Sequence, residues 1–142
     1  MNFSVYYISG KMDVLEKEIT PVVNKFIKEK PSIVKDMWDD FVCCYSRFFD
    51  DETFSLLESL REDVPNLYND IASYTCLSIK WARKYEKTIS KDNWKGMLHH
   101  CETDEDFNWV ASHLDYLPYW IKNSKVGRKF SHLLSNYKIQ TP

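Results

Sequence analysis

Three consecutive residues, His99, His100 and Cys101, have side chains that commonly ligate transition metals. A zinc site needs several such groups aimed at one point, whereas neighbouring residues on a helix point about 100° apart. His113 and His132 could complete a site only if the tertiary fold brought them near. The sequence therefore predicts no bound metal and no cofactor, and a helical metalloenzyme built on the 99–101 region is kept as an alternative.

Other residue types that support catalysis are not arranged for it. The chain has no glycine-rich phosphate loop, no nucleophile elbow and no H-E-x-x-H pattern. The acidic run Asp104, Glu105 and Asp106 is more simply the N-terminal charge cluster of a helix, where the helix dipole favours carboxylates. We therefore predict that the protein is not an enzyme.

The composition is that of one intracellular globular domain. The 142 residues include 19 basic and 21 acidic side chains, a net charge of −2, which disfavours nucleic acid as a partner. This length can bury a core without disulfides or metals, so residues 1–142 are predicted to form a single domain. The four cysteines lack the spacing of a disulfide framework, and no stretch is apolar enough for a signal peptide or a membrane span. We expect reduced thiols and a soluble chain.

The spacing of apolar residues predicts an all-α fold, because they recur at helical intervals and only three glycines and five prolines interrupt them. Met12 to Glu29 reads as helical, with Thr20-Pro21 either starting a helix or kinking a longer one. Only Lys30 separates Glu29 from Pro31, which suits a first helical turn.

After Pro31, apolar residues from Val34 to Phe48 follow a three-and-four spacing, and Trp38, Val42 and Phe49 form a second face. Such a helix must bury two sides or offer one to a partner.

Later segments also have helical patterns. Thr53 to Arg61 is a short amphipathic piece, and Ile71 to Ile79 has no charged residue, which predicts a helix buried at the centre of a bundle. Ser90 and Thr103 are each followed three residues later by a polar side chain, which indicates helix starts. We predict helices near Lys91 to His100 and Asp104 to Tyr116.

The segment from Trp109 to Leu134 combines a helix, a break at Pro118, a Trp120-Ile121 elbow and a second short helix after Gly127. It resembles the second homology motif of the Bcl-2 family, with Tyr119 inserted between the proline and the tryptophan and no Gly-Gly-Trp in the turn. The resemblance implies a structural elbow, formed by Trp109, Trp120, Ile121 and Phe130.

The segment from Val34 to Asp51 resembles the third homology motif of the same family, through Val34, Lys35, Asp39, Asp40 and Phe41, although Trp38 stands where the family has a small residue. For the first homology motif, placement favours residues 66–71 at the start of the central helix over Asn93-Trp94-Lys95-Gly96. The family arginine that pairs with an aspartate of the ligand is then missing, and Asn69 or Asp70 is near its place.

Together these motifs imply a Bcl-2-like helical bundle with a buried central helix, resembling a viral member of the family from a large DNA virus such as an iridovirus. The resemblance implies a surface groove that sequesters the death-motif helix of pro-apoptotic Bcl-2 proteins and so inhibits apoptosis, with a narrow ligand range. The implied groove residues are Phe41, Tyr45, Phe48, Phe49, Leu60, Asn69, Asp70 and Ala72.

The expected location is the host cytoplasm. Peripheral binding at mitochondria and formation of a homodimer are left open. A Bcl-2 fold whose groove is closed, and which blocks host immune signalling instead, is the alternative.

Overall fold

The structure, a computed structural model, describes residues 12–142, with side chains from residue 14 onward. This part of the chain is predominantly helical and has no β-strand, so the predicted all-α class is confirmed for it. The chain divides after Leu67 into two compact units. The predicted single domain stays a prediction.

The first unit contains four α-helices within the described residues: α1 (Met12–Glu29), α2 (Pro31–Asp36), α3 (Trp38–Tyr45) and α4 (Asp51–Leu57), with 3₁₀ turns at Ser46–Phe48 and Glu58–Leu60. Pro21 lies inside α1, so a single longer helix is the correct alternative. Pro31 occupies the first turn of α2, as predicted, because its missing N–H would have no partner there. The helix expected from Val34 to Phe48 is interrupted at Met37, whose φ of −111° and ψ of 28° are not helical.

A polar network joins α1 to α4. Asp50 caps α4 by accepting a hydrogen bond from the Thr53 backbone N–H at 3.0 Å. The Thr53 hydroxyl donates to Asn24 Oδ1 at 2.5 Å, and the Asn24 side-chain amide donates to Asp50 at 3.3 Å. Partial burial raises the pKa of Asp50, but the hydrogen bonds from Thr53 and Asn24 outweigh it and hold that pKa below its ordinary value.

The second unit is built from shorter pieces. Its α-helices are α5 (Leu67–Ser73), α6 (Ile79–Lys84), α7 (Trp94–Met97), α8 (Asp104–Ala111) and α9 (Lys125–Lys129), and its 3₁₀ turns span Glu86–Thr88, Lys91–Asn93, Leu98–His100, Tyr119–Asn123 and Ser131–Asn136. Two backbone hydrogen bonds, Leu117 N–H to Lys138 O and Gln140 N–H to Leu117 O, each 2.8 Å, fasten the last residues.

The predicted central helix over Ile71 to Ile79 is wrong, because α5 ends at Ser73 and α6 begins at Ile79. The Cys76 N–H bonds to Ile71 O at 3.3 Å and the Thr75 N–H to Ala72 O at 2.9 Å, which is the Schellman pattern of a helix end. Thr75 takes the left-handed conformation, with a φ of 56°. The absence of charge had suggested a buried helix, but hydroxyl-bearing and β-branched residues in this run favour a helix end.

The conformation of Thr75 is supported by its neighbours in the second unit. A Cβ at Gly96 would lie 2.4 Å from Thr75 Cγ2, so Gly96 leaves the space that Thr75 needs. The ring of His100 is hydrogen-bonded to the Thr75 carbonyl oxygen. These contacts hold a backbone geometry that ordinarily costs about 1–2 kcal/mol.

The two predicted helix starts have different outcomes. Thr103 and Asp106 form a reciprocal capping box at the start of α8, as their spacing indicated. The Ser90 side chain makes no cap hydrogen bond. Residues 91–100 are nevertheless continuously helical, while α8 ends at Ala111 and falls short of Tyr116.

The elbow region begins as predicted, since Pro118 precedes a new helical turn. Gly127 does not end a helix: it lies within α9, where its N–H donates to Ser124 Oγ at 3.0 Å. A Cβ there would lie 1.6 Å from the Ile121 carbonyl oxygen, so glycine permits close packing of two backbones. In the range 12–142, none of the helices is both long and apolar enough to cross a membrane.

Candidate functional site

An apolar groove of about 500 Å³ runs along the first unit. One wall comes from α1 and the other from α2 and α3, because both segments place apolar side chains at intervals of three and four residues. The residues that line it are Ile19, Val22, Val23, Phe26, Ile33, Val34, Met37, Asp40, Phe41, Cys44 and Tyr45.

Five of the lining side chains are exposed although they are large and apolar. Their exposed fractions are 65% for Val22, 53% for Met37, 43% for Tyr45, 41% for Ile33 and 37% for Phe26. Isolated exposed apolar residues are common, but a contiguous group in a concave surface is typical of an interaction site. This group leaves one side of the first unit suited to an apolar partner.

The floor of the groove is an aromatic cluster centred on Phe41, which is only 7% exposed. The Phe41 ring lies 6.3 Å from those of Phe26 and Trp38, 5.8 Å from Phe49 and 5.5 Å from Tyr45. Trp38, which replaces the small residue of the motif, is buried in this cluster. Packing on several sides restricts Phe41, so the floor is preformed.

Asp40 is the one charged residue among those that line the groove. Its side chain is exposed, and no ion pair joins it to another residue in the range 12–142. Residues 12–67 contain 13 acidic and seven basic side chains. The groove therefore lies in an acidic part of the molecule.

The structure brings together only part of the predicted groove. Phe41 and Tyr45 line it. Phe48 is buried, and together with Phe49 it borders a separate depression whose lining includes the charged residues Glu16 and Arg47. Leu60 is 4% exposed and lies outside the lining.

The remaining predicted groove residues belong to the second unit. Asn69 Oδ1 accepts hydrogen bonds from the Ser90 N–H and the Asn93 side-chain amide, both at 2.8 Å, and so fixes the start of the 91–100 segment. Ala72 is buried, and Asp70 is half-buried. Asn69 has a clear structural role, and its placement does not depend on a ligand.

The predicted elbow residues divide by burial. Ile121 is fully buried, and Phe130 is 2% exposed with its ring 4.9 Å from that of Phe107. Trp109 and Trp120 are half-buried. Trp109 packs against Trp94 at 5.2 Å, while Trp120 stacks on His99 at 5.0 Å. Trp94, which the sequence left as either a core or a surface aromatic residue, is 3% exposed and therefore belongs to the core.

The predicted metal-binding candidates have other contacts. In the described chain, no group of three or more His, Cys, Asp or Glu residues could hold a metal ion. His113 lies 2.6 Å from Glu86 and 2.9 Å from the Trp109 carbonyl oxygen, and His132 lies 2.9 Å from Asp104. Burial raises the pKa of the Cys101 thiol to about 12, so it stays protonated.

The wall contributed by α1 was not among the predicted groove residues. Ile19, Val22, Val23 and Phe26 follow the i, i+3, i+4, i+7 spacing of an apolar helix face. Because Pro21 could either start a helix or kink a longer one, the sequence did not reveal one continuous apolar face. The signal was present in the sequence, but its pairing with α2 and α3 is a tertiary feature.

No family model matches the chain, and neither a curated protein nor a solved structure matches it. The Bcl-2 resemblance therefore rests on the sequence motifs alone.

Proposed function

We propose that the protein binds an amphipathic helix of a partner protein in the groove between α1 and α2–α3. The observation that carries this proposal is the contiguous set of exposed apolar side chains over a preformed aromatic floor. Burial of this surface would supply the free energy of binding, which scales with the apolar area removed from water.

The dimensions of the groove suit a helix. The lining residues of α1 span two helical turns, about 10 Å of axis, which matches the separation of anchors at positions i, i+3 or i+4, and i+7 of a ligand helix. Phe26 and Met37 lie on opposite walls, and they are 37% and 53% exposed. Methionine adapts its shape to different side chains, which favours its use in such a surface.

The motif resemblance supports a more specific form of the proposal. The partner would be a pro-apoptotic Bcl-2 protein, its death-motif helix would be sequestered, and apoptosis would be inhibited in the cytoplasm of a virus-infected host cell, including at the mitochondrial surface. Phe41 and Tyr45, which the resemblance implied, are the two positions shared between the predicted and the observed groove.

Titration calorimetry against a panel of death-motif peptides tests this function. We expect at least one peptide to bind with a dissociation constant between nanomolar and low micromolar, about −12 to −8 kcal/mol. Val22→Glu and Met37→Glu should each weaken that binding by at least tenfold, because they place a charge in the apolar groove.

Val14→Glu is the matched control. Val14 is 50% exposed on α1 but does not line the groove, so this variant should bind as the parent does. If no peptide in the panel binds, the death-motif form of the proposal is wrong, and the alternative in which the protein blocks immune signalling is favoured. If all three variants weaken binding equally, the peptide binds elsewhere.

A further inference from the structure

The charge of the groove indicates which helices it accepts. Asp40 lies on α3, four residues before Cys44, so these two share one helical face, and Met37, which directly precedes α3, lines the same groove. Its carboxylate is therefore placed beside the apolar surface that a ligand would cover. A ligand group opposite Asp40 would meet a negative charge.

Three lysines of the first unit are paired with carboxylates other than Asp40. Lys35, on α2, lies 3.2 Å from Asp63, and Lys28, on α1, lies 3.0 Å from Glu52. Lys25 is 4.0 Å from Glu29. No basic residue is among those that line the groove. With the excess of acidic residues in the range 12–67, the field at the groove attracts cations.

In the family that the sequence resembles, an arginine of the groove meets an aspartate of the ligand; this chain lacks that arginine at the aligned position, and its groove carries the acidic Asp40 instead. A ligand carboxylate placed against Asp40 would be repelled, and a lysine or arginine there would be attracted. Repulsion of the wrong partner contributes to specificity as much as attraction of the right one.

We propose that the groove selects basic amphipathic helices, which carry a lysine or arginine at the edge of the apolar stripe that faces Asp40. This inference rests on the proposed function and names the partner chemistry of the same site. Apolar burial supplies the affinity, and Asp40 supplies the preference between helices of equal apolar character.

Two helical peptides test this preference. They have the same apolar stripe and differ only in one flanking position, which is lysine in the first and glutamate in the second. The lysine peptide should bind about fivefold more tightly at low salt, the size expected for exposed charge pairs. This ratio should fall towards one at high salt, since screening weakens exposed charge interactions.

Substitutions at Asp40 should change the ratio between the affinities of the lysine peptide and the glutamate peptide in a defined order. Asp40→Asn should reduce it, and Asp40→Lys should invert it. Asp39→Asn is the matched control, because Asp39 is also exposed on α3 but does not line the groove. It should leave the ratio closer to the parent value than Asp40→Asn does.

Failure of the inference can be separated from failure of the proposed function. If both peptides bind the parent protein equally and neither binds Met37→Glu, the charge selection is wrong but helix binding in the groove stands. If neither peptide binds, both proposals are wrong. Sedimentation of a dimer that Met37→Glu dissociates would show that a second copy of the chain covers the groove, and binding that appears only after removal of residues 1–11 would show that the chain itself fills it. Either result would overturn the inference.

Discussion

The two units use their aromatic residues differently. In the second unit, aromatic rings stack on one another: Tyr68 on Tyr85 at 3.9 Å, Trp94 on His113 at 3.7 Å and Phe107 on Phe130 at 4.9 Å. In the first unit, the rings of Phe26 and Tyr45 also pack against Phe41, but both residues remain exposed along an open groove. Aromatic content alone therefore does not locate a binding surface, because stacked and buried rings stabilise the fold.

The largest expected effect is on the stability of the second unit. Phe130→Ala should lower the free energy of unfolding by about 3–5 kcal/mol, since it leaves a cavity beside Phe107. Tyr45→Ala, at the edge of the groove, should lower it by only about 1 kcal/mol, because 43% of Tyr45 is already exposed although its ring packs on Phe41. Chemical denaturation of both variants measures this contrast. Equal losses would show that Tyr45 is a core residue and that the groove is not an open surface.

The next effect concerns the contact between Gly96 and Thr75. Gly96→Ala should destabilise the protein by about 1–3 kcal/mol, because its methyl group would overlap Thr75 Cγ2. Thr75→Gly removes that methyl group and suits a φ of 56°, so the double variant should recover much of the loss.

Gly127→Ala is the control for this rescue. Its Cβ would meet the Ile121 carbonyl oxygen, which Thr75→Gly does not alter. A double-mutant cycle from chemical denaturation should therefore show coupling between residues 75 and 96 and none between 75 and 127. Simple additivity for both pairs would contradict the packing described at Thr75.

A smaller effect is expected from the cap of α4. Asp50→Ala should cost about 1 kcal/mol, as is usual for loss of an N-cap. Because the pKa of Asp50 is lowered in the folded state, its contribution is present above the ordinary value of 3.8 and is lost as the pH falls through the lowered value. The difference in unfolding free energy between parent and Asp50→Ala, measured from pH 7 downward, should shrink below pH 4. A difference that is constant or grows in acid would contradict the proposed hydrogen bonds.

The sequence predicts those features of the fold that depend on local patterns. The all-α class follows from helical spacing, the α8 start from Thr103 and Asp106, and the α2 start from Pro31. The break between α5 and α6 was missed because a run without charge was interpreted as a buried helix. The φ of Thr75 depends on Gly96, which is distant in sequence, so local patterns could not reveal it.

The candidate site was also predicted only where local sequence patterns define it. Phe41 and Tyr45 belong to one helix and one motif, and their shared face was visible in the spacing. The opposite wall comes from α1 instead of the predicted Leu60, Asp70 and Ala72, since the pairing of helices is decided by tertiary packing. Asn69 was predicted to face a ligand, but its amide binds the 90–93 turn.

Protection of Cys44 from alkylation would show whether a bound helix occupies the groove between α1 and α2–α3. Cys43 and Cys44 are both exposed, but only Cys44 lines the groove. In a Cys43→Ser background, a saturating helical peptide should slow maleimide labelling of Cys44 by about the ratio of bound to free protein. In a Cys44→Ser background, the same peptide should leave labelling of Cys43 unchanged. Binding that protects neither cysteine, or both equally, would contradict helix binding between α1 and α2–α3.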